Sequence, residues 1–345
     1  MIYDFIIIGG GAVGFFAAIS AKERDRNLRV LILEKTFQPL AKVRISGGGR
    51  CNVTHACFEP KELVENYPRG KLELLGPFSR FHPAHTVEWF ERRGVQLKVE
   101  KDGRMFPVSD TSMTIIDCFM KECDRLGIEI RLGYSVEHLD VGFKINGELE
   151  ASSVLLATGS SKKGWELAKR LGHTVVDPVP SLFSFNCPTS PLLDLPGIAV
   201  ERARASLAGT QLETEGPLLT THWGFSGPAI LKLSAFGARL LYDQQYRMPL
   251  IIDWGEGPLA KNLLKRLDLS HPSVYQIEGK TPFKYEFVTA GGILLKEVNF
   301  KTFESRLIPR LFFAGEILDI DGVTGGFNFQ NAWTGAYLSS QALMS

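Results

Sequence analysis

No eighteen-residue apolar run occurs anywhere in this 345-residue chain, so the sequence offers no membrane-spanning helix. Its apolar opening, Met1 to Gly11, is short, is interrupted by Asp4 and lacks a basic leader. It therefore does not read as a secretory segment. Cysteine is scarce: Cys51, Cys57, Cys118, Cys123 and Cys187 form an odd set without a CxxC pair. That excludes a disulfide framework and a dithiol redox motif, and it favours a reducing cytoplasm. Charge of one sign is missing too. The 39 Lys and Arg nearly balance 38 Asp and Glu, so no basic field suggests nucleic acid or an anionic membrane surface. No cluster of His, Cys, Asp and Glu has metal-ligand spacing, and no metal is expected. Internal repeats and low-complexity segments are lacking.

What is present is ordinary globular material. Hydrophobic residues make up 44% and charged residues 22%, enough to bury a large core. The length suits two domains. Asp4–Ile8 reads as a buried strand, a helix with Ala12, Val13, Ala17, Ala18 and Ile19 on its inner side follows, and Arg29–Leu33 is a second apolar strand. This is a βαβ unit, the building block of a parallel sheet. A glycine-rich loop spans Ser46–Asn52, helices are expected over Thr86–Arg93 and Ser112–Gly127, and strands recur from Glu129 to Ala157. The apolar run Val154–Ala157 stops at Thr158-Gly159, as a central parallel strand does at a ligand-facing edge. Prolines cluster after Pro178, and the texture turns to short strands and turns. We expect a first domain over 1–180 and an inserted, mostly β lobe over 181–288 with a helical piece near Pro258–Leu267. Residues 289–345 return to the first domain, with a buried strand at Arg310–Ala314 and a final helix at about Gln330–Leu343.

Gly9-Gly10-Gly11-Ala12-Val13-Gly14 contains G-x-G-x-x-G in its required context, after a strand and at the start of a helix. Gly9 permits the tight turn, Gly11 lets the backbone approach a pyrophosphate, and Gly14 allows close helix–strand packing. The phosphates then meet the free N–H groups and dipole of the helix N-terminus. Glu34 ends the second strand twenty residues after Gly14, the spacing of a carboxylate that holds ribose hydroxyls and repels a 2′-phosphate. Ala12 and Lys35 complete the expected contacts at this end.

The far end of the chain argues for a flavin over a bare nicotinamide nucleotide. Phe312-Phe313-Ala314-Gly315-Glu316 is a strand ending in glycine and an acid, followed by Gly322, Gly325, Gly326, Phe327, Asn328 and a helix. Such an acid can bind the ribityl or pyrophosphate region, and the last helix can stabilise negative charge on the pyrimidine side of the reduced ring.

Several segments occur in order: Gly9–Gly14, Lys42 with Ser46-Gly47-Gly48-Gly49-Arg50-Cys51-Asn52, Ala157-Thr158-Gly159, Thr221-His222-Trp223-Gly224-Phe225-Ser226-Gly227-Pro228, Thr289-Ala290-Gly291-Gly292 and Phe313–Asn328. Together they resemble the BaiN/YhiN-like family of NAD(P)/FAD-dependent oxidoreductases, also labelled aminoacetone oxidase-like, over essentially the whole chain. The resemblance implies an α/β fold: a Rossmann-like FAD-binding domain formed from both chain ends, with an inserted β-rich domain. Ser160 stands where a second glycine is common, His55 where Asn is usual, and Asn331 replaces a bulkier residue.

On this reading Lys42 and Ser46–Asn52 run over the flavin. Gly47, Gly48 and Gly49 offer N–H donors to its polar edge, Arg50 and Asn52 bond a phosphate or ribityl oxygen, and Lys42 neutralises a carboxylate or the reduced ring. Cys51 reads as a buried structural thiol, with a redox role as the alternative. His222 is the candidate acid/base, because imidazole titrates near neutrality, and its alternative is to bond the loop backbone. Arg104 either binds an anionic substrate or fixes its loop. The function expected is FAD-dependent hydride transfer between NAD(P)H or oxygen and a small organic molecule. With a single fingerprint, NAD(P)H would dock transiently as electron donor. The competing readings are an FAD protein acting on RNA, as in tRNA modification, and a non-catalytic flavin-binding regulator.

Overall fold

Short runs of branched apolar residues form the centre of the protein. Phe5–Ile8 (β1), Val30–Leu33 (β2), Val154–Leu156 (β4) and Leu311–Phe313 (β5) are buried at every position, while Glu129–Arg131 (β3) is partly exposed. Strands covered on both faces read as continuous apolar runs, which is why these four are visible in the sequence. They lie in the order β5, β4, β1, β2, β3, all parallel. Two short antiparallel strands, Val298–Asn299 and Glu304–Ser305, extend the sheet beyond β5.

The structure is a computed structural model and describes residues 2–255, 260–267, 271–280 and 288–343. The chain divides into two compact units, Met1–Asp177 with Gly291–Ser345, and Pro178–Ala290. The helices of the first unit include Ala12–Arg24 (α1), Ala41–Gly49 (α2), Pro83–Glu91 (α3), Met113–Leu126 (α4) and Phe327–Ala342 (α5). A one-sided α1 was expected, but every residue from Val13 to Ala21 is buried. The sheet takes one face, and α4 and α5 take the others. A helix apolar all round is a core helix.

Aromatic rings fill the space behind it. Phe16 stacks on Trp89 at 4.3 Å and meets Phe81 and Trp333 at 5.7 and 5.4 Å between ring centroids. Phe15, Phe90 and Phe119 close the cluster. Trp333 is fully buried, and its Nε1 donates to the Val53 carbonyl at 2.8 Å, so its one polar atom is satisfied. Truncating such a ring costs about 3–5 kcal/mol.

The glycine-rich stretch expected as a loop is entered by a helix. The helical turns of α2 end at Ser46, whose ψ of 149° breaks the spiral, and Gly47 and Gly48 continue in left-handed conformations.

In the second unit six strands pair antiparallel. Their order is Phe185–Asn186, Gly224–Ser226, Glu213–Thr221, Ala199–Leu207, Arg247–Asp253 and Ser273–Glu278. One face buries Ala203, Ala205, Leu207, Leu250, Ile252 and Ile277. A helix at Pro228–Phe236 packs on it, where short strands and turns were expected. Gly227-Pro228 resembles a loop in sequence, yet proline is pre-set for the first helical position, and Ile230 and Leu233 supply the apolar side. Of the helical piece expected near Pro258–Leu267, Pro258 lies outside the described residues, and the helix observed is Lys261–Leu264.

One buried histidine makes stability pH-dependent. His173 lies edge-on to Phe313, with its Nε2 2.8 Å from Ser305 Oγ. That oxygen already accepts the N–H groups of Leu307 and Ile308 at 3.0 and 2.9 Å. Burial lowers the pKa of His173 from its ordinary value, against a smaller opposing pull from Glu297. The unfolded chain then binds the extra proton more readily, so stability falls as pH drops below about 6.5, by at most about 1.4 kcal/mol per pH unit from this group. We expect urea unfolding at pH 7.5 and 5.5 to show a smaller acid loss in His173→Leu than in the wild type. Equal losses would remove the assignment.

Candidate functional site

The turn from β1 into α1 leaves no room for side chains. Gly9 has φ +120°, and a Cβ on it would lie 2.4 Å from the Ala157 carbonyl oxygen; one on Gly14 would lie 2.1 Å from the Gly9 oxygen. Around Gly11, by contrast, nothing lies within 4 Å of that position, and no side chain caps the start of α1. The first-turn N–H groups are thus available to an anion brought close to bare backbone, which is the fit a pyrophosphate requires.

Glu34 extends from the end of β2 towards this turn. Its Oε2 accepts the Gly10 N–H at 2.9 Å, and its Oε1 accepts the Thr36 N–H and Oγ–H, each at 2.8 Å. Gly10 and Thr36 were missed in the sequence. The space a Gly10 Cβ would take is filled by Glu34 Cβ at 2.8 Å, so glycine between the fingerprint glycines had a readable purpose. Lys35 is exposed beside Glu34, and Ala12 sits half-buried at the helix start.

The second element is the run after α2. Gly47, Gly48 and Gly49 have φ of 57°, 68° and 86°, and Cys51 follows at 62°. Glycine adopts this conformation without strain, and the run curls into a concavity of bare backbone. Nothing lies within 4 Å of a Cβ on Gly48 or Gly49, whereas one on Gly47 would touch Phe106 at 2.8 Å. Ser46 caps the turn, its carbonyl accepting the Cys51 N–H at 3.0 Å. Cys51 is fully buried, and burial pushes its thiol up to about 12, which leaves it protonated and inert at neutral pH.

Arg50 does not point a free charge into this concavity. It pairs with Glu100 at 2.6 Å and Asp110 at 3.5 Å and lies over the Phe106 ring at 3.9 Å. Arg104 is likewise held by Asp102 at 2.7 Å and Glu100 at 3.5 Å, which favours loop fixing over anion binding. Asn52 ties the run to the far end of the chain. With its carboxamide oriented to satisfy all partners, Nδ2 donates to the Thr54 and Met105 carbonyls at 3.0 and 3.3 Å and Oδ1 accepts the Gly326 N–H at 3.0 Å.

The third element comes from β4, β5 and α5. Ala157 donates its N–H to the Ile8 carbonyl at 2.9 Å, which places Thr158 and Gly159 beside the glycine turn. Thr158 Oγ1 is a buried hydroxyl without a bond. Glu316, just beyond β5, forms an ion pair with Lys42 of α2, and Ser160 Oγ stands 3.1 Å from the Lys42 ammonium. A Cβ on Gly315 would lie 2.7 Å from Val13 Cγ2, so the acid is delivered against the first turn of α1. Gly326 opens α5 at φ 94° without a side-chain cap. Phe327 stacks on His55 at 4.6 Å, and Asn328 bonds both the N–H and the carbonyl of Gly322 at 2.8 Å, pinning the preceding loop. The fully buried Asp321, paired with half-buried Arg69, anchors the same loop.

The structure therefore gathers Gly9, Gly11, Ala12, Gly14, Glu34, Lys42, Ser46–Asn52, Ala157–Gly159, Gly315, Glu316 and Gly326–Asn328 in the first unit, at or beside the carboxyl ends of β1, β2, β4 and β5. Because β2 and β4 flank β1 on opposite sides, this edge is the topological switch point where α/β sheets bind ligands. His222 belongs to the second unit, exposed at the two-residue tip between Glu213–Thr221 and Gly224–Ser226. Among the described residues no metal-ligating cluster of three His, Cys, Asp or Glu occurs, and no helix is long and apolar enough to cross a membrane.

Comparison with known proteins agrees with this geometry. A family model described as the HI0933-like protein Rossmann domain matches residues 3–342. A 3-dehydro-bile acid delta(4,6)-reductase of Clostridium scindens is 29% identical over 97% of this chain and 98% of its own length. A ribosomal RNA dihydrouridine synthase of Escherichia coli is 28% identical over 99% of this chain and 98% of its own. Among solved structures, an E. coli quinol fumarate reductase variant superposes with a TM-score of 0.56 at 15% identity, covering 99% of this chain and 70% of that one. This last likeness is one of fold.

The tightest contact in the site gives a direct test. Gly14→Ala would drive a Cβ to 2.1 Å from the Gly9 oxygen, and overpacking of this kind costs about 1–3 kcal/mol or more. We expect the variant to purify with less bound flavin and a lower unfolding midpoint, measured by visible absorbance and thermal melting. A fully yellow, unshifted Gly14→Ala protein would show that the turn is not built as described.

Proposed function

This chain belongs to the HI0933-like Rossmann-domain family of FAD-dependent oxidoreductases, and from that premise we propose that it saturates a carbon–carbon double bond conjugated to a carbonyl group. The observation that carries the flavin part is the convergence of the bare Gly11 turn, the left-handed Gly47–Gly49 run and the uncapped start of α5 on one sheet edge. The names of the two relatives support the bond type. The name 3-dehydro-bile acid delta(4,6)-reductase describes reduction of carbon–carbon double bonds in a molecule that also carries an oxidised C3, and a dihydrouridine synthase is likewise named for a reduced double bond.

Bound FAD supplies the hydride in such a reaction. The chain supplies position and charge. The N–H groups at the start of α1 would take the pyrophosphate, Glu34 the adenosine ribose, and Glu316 with Lys42 the ribityl region. The bare backbone of Gly47–Gly49, with Asn52 fixing its end, would hold the ring, and the N–H groups at the start of α5 would offset negative charge gained on reduction. Saturation of the double bond also needs a proton on the carbon next to the carbonyl, and His222 is the donor we assign. One fingerprint, filled by FAD, leaves NAD(P)H to act as a transient donor. The five free thiols fit a reducing, cytoplasmic setting. The E. coli relative's name favours a second reading in which the reduced ring is a base within RNA. The near-zero net charge, 39 against 38, speaks against it.

Under nitrogen, NADH or NADPH should bleach the visible flavin band. A conjugated enone, but not its saturated analogue, should then restore it. A band restored only by RNA would select the second reading, and a band that no donor bleaches would end both. His222→Ala should lower enone turnover roughly a hundredfold while leaving bleaching by NAD(P)H intact; undiminished turnover would remove His222 from the mechanism.

A further inference from the structure

We infer that Thr36 is a positioning residue for the adenosine end of the cofactor, acting through the Glu34 carboxylate. The inference rests on the assignment of Glu34 to the ribose. A carboxylate has about four acceptor directions, and three are filled: two on Oε1 by the Thr36 N–H and hydroxyl, one on Oε2 by the Gly10 N–H. The acceptor direction left open belongs to Oε2, the oxygen on the glycine-turn side. A flexible Glu side chain is thereby held in one rotamer with one lone pair presented, and an arriving ribose hydroxyl finds it already oriented.

The Thr36 hydroxyl has two oxygens in reach, Glu34 Oε1 at 2.8 Å and the Gln38 carbonyl at 3.0 Å. It has one proton to donate, and a bond to an ionised acceptor is the stronger. The Gln38 carbonyl, within the same reach, holds the hydroxyl in the rotamer that serves Glu34. Thr36 is exposed and Glu34 half-buried, so solvent competes and the effect is moderate. Valine has the same shape without the hydroxyl and keeps the backbone N–H bond, so it removes one of the three restraints. Serine keeps all three.

The test is the rate at which holoprotein diluted into flavin-free buffer releases FAD, followed by the rise in flavin fluorescence. Thr36→Val should release FAD about fivefold faster than the wild type, Thr36→Ser within about twofold of it, and Glu34→Ala about tenfold faster or more. Adding Thr36→Val to Glu34→Ala should change nothing further, because the group through which Thr36 acts is gone. Wild-type release from Thr36→Val beside fast release from Glu34→Ala would overturn the inference and leave the ribose assignment standing. An equal acceleration by Thr36→Val in both backgrounds would also overturn it, since Thr36 would then act only on its own turn. Wild-type release from Glu34→Ala would bring down the ribose assignment itself.

Discussion

The site depends on one backbone crossing. Gly14 passes so close to the Gly9 carbonyl that a Cβ there would stand 2.1 Å from the oxygen. This approach fixes where β1 stops and α1 starts, and hence where the first-turn N–H groups point. It also sets the seat of every later element. Ala157 reaches over Gly9, Gly315 lies on Val13, and Leu40 returns from the second strand to donate its N–H to the Gly10 carbonyl at 2.8 Å. Three separate stretches of chain are thus registered against a six-residue turn, two of them by backbone contact and Gly315 by contact with the Val13 side chain, and close packing of this kind tolerates little drift.

The two ends of the chain meet through α1 and α5. Trp333 of α5 enters the same aromatic cluster as Phe16 of α1 and bonds the Val53 carbonyl, one residue beyond Asn52. Thr54 and Thr86 both donate to Gln330 Oε1, at 2.6 and 2.9 Å, in a fully buried network. A low-dielectric network with all members satisfied strengthens its bonds and permits few alternatives. The start of α5 is therefore fixed relative to the glycine run by hydrophobic packing below and by polar bonds above. The Trp333–Val53 bond spans 280 residues of sequence, and the Thr54–Gln330 bond beside it spans 276.

Much of this was legible. The strands Phe5–Ile8, Val30–Leu33, Val154–Leu156 and Leu311–Phe313 announce themselves because a strand covered on both faces has no polar residue to spare. The fingerprint was legible because sterics allow only glycine at Gly9 and Gly14. The rest depended on partners that the sequence does not name. Arg50 reads as a phosphate ligand until Glu100, fifty residues on, is seen to hold it. Gly10 and Thr36 look like filler until the Glu34 side chain is seen to lie across them. The helix at Pro228–Phe236 was hidden by a glycine–proline pair that serves equally as a turn and as a helix start.

The charge balance around the site says how it can work. Arg50, Arg104 and Lys98 are matched by Glu100, Asp102 and Asp110, and Lys42 by Glu316. The side-chain charge carried by these residues is thus largely paired. Oriented backbone at the start of α1 and the start of α5, each helix end carrying roughly half a unit of positive charge, is then the main source of attraction that a bound anion would meet. Backbone dipoles do not reorganise when charge moves, so they would stabilise an anion placed against them without first having to turn towards it. They are also indifferent to what the substrate is. Within a family whose relatives bear the names of a bile acid reductase and an RNA dihydrouridine synthase, that indifference fits one cradle serving different substrates, with selection left to residues outside the cradle.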